Sequence, residues 1–319
     1  MKIYRKITKP GKITEKYFGL NLVVQTKLKE GTATRYFFVY KTIETDKEIK
    51  RRIFGIPFFS SKKDPLLIKV DAMTKKIDAL QADVKELRIK HQMGIAIARQ
   101  HSRVFPKYKN KHEGKDFVIL ATGPTLCRYK KIEDAIHIGV NKSFLFFPDL
   151  DYWFAIDNSV TNEYHLELQQ THFTKFFGVC SSSNRDHLYL SRNQGKLWNY
   201  SDRLISKFEN AEKFYFDHPS ESINRDIESQ ALPDLGSCVF SAVYFALYAG
   251  ARRIYLVGCD CAANGYFDKT AQSDRFNSDL LIKGWKNIQY FIECFYPDVE
   301  IISVNPVGLK GIFPEIIME

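Results

Sequence analysis

The sequence predicts an α/β protein. Its body is a Rossmann-like, mostly parallel sheet with helices on both faces, preceded by a basic N-terminal extension that carries a heptad helix. Three observations support this. From Phe117 onward, short apolar runs alternate with helical stretches, the pattern of a parallel sheet covered on both sides. From Val70, apolar residues recur at spacings of three and four. Before that, basic clusters alternate with aromatic-rich pieces and show neither regularity.

A chain of 319 residues, 45% hydrophobic, can bury a full core. No run of eighteen apolar residues occurs, and the start, MKIYRKITKPGKITEKYFG, lacks the pattern of a signal peptide. The six cysteines are scattered through apolar contexts, which fits a reduced, cytoplasmic protein. Cys259 and Cys261 are too close in sequence for a good disulfide and make only half a zinc site.

Charge separates the extension from the body. Residues 1–63 hold 16 basic and 5 acidic residues, a balance of +11, while the rest of the chain holds 31 against 32. Residues 1–69 form the basic, aromatic-rich extension. Tyr17-Phe18-Gly19-Leu20 is echoed by Ile53-Phe54-Gly55-Ile56, which continues as Pro57-Phe58-Phe59 between Arg51-Arg52 and Lys62-Lys63. Rings between cation pairs suit an anionic membrane surface, here the inner face of the plasma membrane. The same residues also suit a small β-hairpin unit, with Arg35-Tyr-Phe-Phe-Val-Tyr40 as a strand. No nucleic-acid reading module stands out, so nucleic acid is not an expected partner.

Residues 70–104 read as an amphipathic, coiled-coil-like helix. Val70, Met73, Ile77, Leu80, Val84 and Leu87 make two and a half heptads, which either join copies into a homo-oligomer or dock on the same chain. Residues 105–116 have no periodicity and read as a linker. In the body, 117–319, strands are expected at 117–121, 136–140, 152–156, 175–180, 213–216, 253–258 and 299–303. Helices are expected near 125–134, 160–171, 184–190, 238–250, 277–295 and 307–317.

Ligands of such sheets bind beyond the carboxyl ends of the strands, and four segments end there. Thr122-Gly123-Pro124-Thr125 joins a strand to a helix start; it is either a phosphate cradle or a tight structural turn. Asn141, in Gly139-Val140-Asn141-Lys142-Ser143, offers a donor and an acceptor to a base or ribose, or caps the next element. Asp157 and Asn158 end a strand, placed for sugar hydroxyls or proton transfer, or as a helix cap. Gly236-Ser237-Cys238 opens an almost wholly apolar helix, and the next strand ends at Gly258-Cys259-Asp260. Ser237 caps that helix or donates to a phosphate. CAANGYFDKT, 261–270, is suited to be a lid, with Tyr266 available to a phosphate oxygen.

Asp149-Leu150-Asp151 has the form of a metal-binding D-x-D, but it precedes a strand instead of following one. His137 lies within a strand and reads as structural; His187 and His218 lie in loop-like regions and are candidate bases.

ILATGPTL, GVNKSFLFF and GSCVFSAVYFALYAGARRIYLVGCD resemble the bacterial sialyltransferases of glycosyltransferase family 42. They resemble still more the related motility accessory factors and 6-hydroxymethylpterin diphosphokinase-like proteins of the domain of unknown function 115 group. The likeness covers about residues 115–310. FGIPFF with its basic neighbours looks like segments of surface-polysaccharide glycosyltransferases. The resemblance implies that Gly123, Pro124 and Thr125 form a nucleotide loop, that Asn141 holds a cytidine nucleotide and that Ser237 starts the site helix. It also implies that Tyr266 helps the phosphate leave. Thr122 stands where the sialyltransferases have Asn, and Asp157 aligns with another of their asparagines. Residues 270–300 contain no counterpart of their catalytic histidine.

The expectation is a metal-independent glycosyltransferase of bacterial surface glycan synthesis. Its donor would be a CMP-activated sialic-acid-like or Kdo-like sugar and its acceptor a glycan or lipid-linked glycan, with no cofactor. Asp157, Asp260 or His218 would be the base. Tyr266 and Ser237 would hold the departing phosphate, and Thr122, Asn158 and Gly258 would complete the nucleotide site. The alternatives are a Mg²⁺-dependent pterin-type diphosphokinase-like enzyme and a non-catalytic glycan- or nucleotide-binding scaffold.

Overall fold

A computed structural model describes residues 4–9, 12–17, 20–28, 31–36, 40–45, 48–53, 56–62, 65–181, 205–217, 224–270 and 277–318. Up to residue 65, and at Leu67, Ile68 and Asn158, the description is of backbone alone. The chain divides into two units, residues 1–87 and 88–319.

The first unit holds a seven-stranded antiparallel meander: β1 (Tyr4–Lys9), β2 (Lys12–Tyr17), β3 (Leu20–Leu28), β4 (Gly31–Tyr36), β5 (Tyr40–Thr45), β6 (Glu48–Ile53) and β7 (Ile56–Lys62). The expected hairpin unit is thus a larger sheet in which each strand pairs with its sequence neighbour. The helix α1 follows, Pro65–Val104. It starts five residues before the first heptad position, because Pro65 suits the first turn of a helix.

In the second unit the end of α1 is an ordinary core helix: Ile97, His101 and Val104 are buried at helical spacing. Residues 105–116 are not a linker. Phe105 and Tyr108 are buried, and their rings pack on Phe176, with Tyr108 also edge-on to Tyr152 and Phe245. An aperiodic stretch hid two core aromatics three positions apart.

The body is a nine-stranded sheet, parallel throughout. Its strands are β8 (Lys115–Leu120), β9 (Ile136–Val140), β10 (Tyr152–Ala155), β11 (Thr174–Cys180), β12 (Ala211–Asp217), β13 (Leu232–Pro233), β14 (Ala251–Val257), β15 (Glu300–Val304) and β16 (Glu315–Ile316). They lie in the order β13-β12-β11-β10-β9-β8-β14-β15-β16. The chain therefore steps outward from β8 to β13, then crosses back to place β14 on the other side of β8. The Rossmann-like α/β class read from the alternation is the class the chain adopts.

Alternate strand residues serve opposite faces. Phe117, Ile119, Tyr152, Phe154 and Phe176 join a core with α4 (Val239–Tyr248) and α5 (Ser278–Phe295). The Phe154 and Phe176 rings stack at 4.4 Å. On the other face, Trp153, Ala155 and Phe177 pack with Val160 of α2 (Asn158–Glu163) and Leu168 of α3 (His165–Gln169). Burying a side chain of this size contributes about 1.5–3 kcal/mol, so both faces stabilise the sheet.

Two expected helices are absent. Residues 124–128 form a short 3-10 helix that ends where the Tyr129 ring is buried, in place of a helix over 125–134. Residues 307–317 turn and then form β16, since Gly308, Gly311 and Pro314 oppose a helix. The helix expected at 184–190 lies outside the described residues.

Candidate functional site

The strand order reverses between β8 and β14. Connections leaving their carboxyl ends diverge, and a crevice opens there. A cavity of about 550 Å³ occupies it. Its lining includes Thr122 and Gly123 after β8, Asn141 after β9, Asp157 after β10 and Ser237 before α4. Gly258 and Asp260 after β14 and Tyr266 of the following loop complete the set. Eight of the sequence-derived candidates thus share one cavity.

The turn after β8 is built differently from a phosphate cradle. The Gly123 amide donates to the Gly258 carbonyl at 2.8 Å, and the Leu126 amide donates to the Gly123 carbonyl at 3.0 Å. The Thr125 amide donates to Asp260 Oδ2 at 3.0 Å, and its hydroxyl donates to Asp260 Oδ1. Pro124 has no amide hydrogen. These first-turn donors are therefore committed inside the protein, and neither Pro124 nor Thr125 lines the cavity. A β-carbon on Gly123 would lie 2.5 Å from the Gly258 carbonyl oxygen and 2.6 Å from Asp260 Cγ. Glycine is required there by the close approach of the two loops. Gly258 itself has φ of +66°, a left-handed value that glycine adopts without strain.

Asp260 is buried, and both its carboxylate oxygens serve Thr125. It is a staple between the two loops, which corrects its expected role as a base. Asp157 caps α2, its Oδ1 accepting the Ser159 amide at 2.8 Å. It is half-buried at the cavity wall, so capping and lining coexist. Ser237 Oγ accepts the Val239 amide at 3.3 Å and also faces the cavity.

Asn141 has φ of +49°, a conformation asparagine tolerates better than most residues. Its carbonyl accepts the Trp153 indole N–H at 2.7 Å, and its Oδ1 lies 3.8 Å from Cys238 Sγ. The backbone is thus held while the side chain points along the cavity wall.

The loop 261–270 is fastened to the β8 and β9 ends. The Phe267 amide donates to the Thr122 carbonyl at 3.0 Å. Lys142 Nζ donates to Asp268 Oδ2 at 3.3 Å. This holds Tyr266 in the wall, where burial raises the pKa of its phenol. The hydroxyl is protonated at neutral pH and can donate.

Sequence reasoning missed Asp234, which is buried in the cavity wall just past β13, its Oδ1 accepting the Gly236 amide at 2.9 Å. The signal is present as Pro233-Asp234-Leu235-Gly236, an acid two residues before a turn glycine. Four thiols also line the cavity: Cys180, Cys238, Cys259 and Cys261. Burial pushes Cys238 and Cys259 well up and Cys261 up to about 11, so these three are neutral thiols rather than nucleophiles. Among the described lining residues there is no Lys, Arg or His.

His218, His187 and the Asn158 side chain lie outside what is described. His137 is structural, as expected: it is buried, with Nε2 2.7 Å from the Tyr129 hydroxyl. Asp151 accepts the His137 amide at 2.8 Å, and Asp149 pairs with Lys131 at 2.8 Å. Among the described residues, no three of His, Cys, Asp and Glu stand together as a metal site. No helix among them is long and apolar enough to cross a membrane. No family model matches the chain, and no characterised protein matches it.

Proposed function

We propose that the chain is a metal-independent glycosyltransferase that takes a CMP-activated acidic sugar. The observation that carries this reading is the convergence of Asn141, Asp157, Ser237 and Tyr266, from four separate strand ends, on one cavity at the switch point. A cavity near 550 Å³ is of the size that holds small-molecule ligands.

In this reading Asn141 pairs with the cytosine or ribose. Asp157 takes the proton of the acceptor hydroxyl as that oxygen attacks the anomeric carbon. The bond from that carbon to the phosphate oxygen breaks, and CMP leaves with the electron pair. The hydroxyls of Tyr266 and Ser237 donate to the departing phosphate. With no cation among the described lining residues, neutral donors meet the charge that develops.

One observation favours a second reading, a nucleotide-binding scaffold. Asp260 serves Thr125 and Asp157 caps a helix, so both carboxylates have structural work in the protein. A thermal-shift panel of CMP, CDP, UDP, GDP and ATP, with and without Mg²⁺, followed by CMP release from a CMP-sugar, separates these readings. A ligand bound only to the folded state raises stability by about 2.7 kcal/mol at a hundred times its Kd. CMP is expected to raise the melting temperature equally with and without Mg²⁺, and CMP is expected to be released. Binding without release selects the scaffold. A shift by ATP that requires Mg²⁺ selects a phosphotransferase and overturns the proposal.

A further inference from the structure

We propose that a second copy of this chain docks along α1, forming a parallel, in-register, two-stranded coiled coil over residues 70–87. On this helix Val70, Met73, Ile77, Leu80, Val84 and Leu87 are 49%, 63%, 51%, 61%, 47% and 64% exposed. These are large apolar side chains on one continuous stripe, and water is their partner in the single chain. Polar residues fill the positions between them: Asp71, Lys75, Asp78 and Lys85 among others.

The stripe has the composition of one particular assembly. Counted in heptads, Val70, Ile77 and Val84 take the a positions, and Met73, Leu80 and Leu87 take the d positions. β-Branched residues at a with leucine-like ones, not branched at Cβ, at d favour two parallel strands, because each geometry of knob fits its own hole in that assembly. The flanking positions agree. In a parallel pair each g residue faces the e residue five positions on in the other copy. That sets Asp83 against Arg88, twice by symmetry, and sets Lys69 against Thr74 and Lys76 against Gln81. One pairing is attractive and none brings like charges together.

The seam also has a defined end. The next a and d positions are His91 and Gly94, and beyond them α1 buries Ile97, His101 and Val104 within its own unit. The helix thus gives one segment to its own core and leaves 18 residues, about 27 Å, for another copy. A stripe that matches itself under a two-fold axis closes as a dimer.

The test is sedimentation equilibrium of the full chain. The expected mass is twice 37.1 kDa. Leu80→Asp, at an exposed position, is expected to give the single-chain mass with the same thermal unfolding of the body. Orientation is read from Ile77→Cys with Cys127→Ser and Cys294→Ser, which removes the exposed native thiols. A parallel, in-register pair places the introduced thiols of the two copies face to face, and mild oxidation is expected to link them. A single-chain mass for the wild type overturns the proposal, as does a dimer that survives Leu80→Asp. A three-chain mass overturns the two-stranded form. A dimer in which Ile77→Cys does not link overturns the parallel register. None of these outcomes depends on nucleotide binding, so failure here leaves the proposed function standing.

Discussion

Thr125 gives both its backbone amide and its hydroxyl to the carboxylate of Asp260, 135 positions later in the chain. The pair ties the turn after β8 to the turn after β14, across the point where the strand order reverses. The Gly123 amide to Gly258 carbonyl bond reinforces the same junction. The two turns are therefore cross-linked at the junction from which Thr122 and Gly258 line the cavity.

Thr125→Val removes the hydroxyl donor but keeps the amide donor, so one oxygen of a buried carboxylate loses its partner, at a cost of about 1–3 kcal/mol. Thr125→Val is expected to lower unfolding stability by that amount, read from the urea midpoint at unchanged slope. Asp260→Asn is expected to do likewise, because an amide offers one acceptor where the carboxylate offers two. If Asp260→Asn instead abolishes turnover at full stability, Asp260 is a base and not a staple.

A second relationship makes stability depend on pH. His101 is fully buried near the end of α1; its Nε2 accepts the Tyr215 amide at 2.7 Å, so Nδ1 carries the proton and donates to the Ile227 carbonyl at 2.8 Å. Burial lowers its pKa from 6.5 to about 4. The unfolded chain therefore binds the proton first, and stability is complete above the unfolded value and lost as pH falls toward the folded one. One such group removes about 2 kcal/mol between pH 7 and pH 5. Burial also lowers His112 and His137, which act with the same sign. Urea unfolding at the two pH values is expected to show a steeper loss for wild type than for His101→Gln. Equal losses would show that His101 is not held neutral.

The sheet is legible in the sequence because apolar runs mark buried strands directly. β9 falls at the expected residues, 136–140, and the other long strands differ by one or two positions. β13 and β16, at two residues each, are too short to carry a pattern. The convergence of the site is also legible, since parallel strands bring their carboxyl ends to one edge. The chemistry of the turn is not. A strand ending in Thr-Gly-Pro-Thr looks the same whether its donors face a phosphate or a distant aspartate, and local sequence does not encode which. Asp234 escapes notice for a related reason: the pattern that marks the segment starts at Gly236, two residues past the acid that its amide bonds.

Asn141 separates backbone geometry from ligand contact. Its left-handed φ of +49° and its carbonyl bond from Trp153 belong to the main chain, whereas its carboxamide lines the cavity. Glycine adopts that φ freely, so Asn141→Gly keeps the turn and deletes the carboxamide, together with its long contact to Cys238 Sγ. Loss of one good hydrogen-bond set is expected to weaken CMP binding by about 1–2 kcal/mol, roughly five- to thirtyfold in Kd, read by titration calorimetry. The melting temperature without ligand should stay close to wild type. Asn141→Ala provides the contrast, because alanine lacks the short polar side chain with which asparagine tolerates the left-handed region; that variant should lose stability as well as affinity. If Asn141→Gly binds CMP as tightly as wild type, the nucleotide does not reach Asn141, and the assignment of this end of the cavity to the base must be withdrawn.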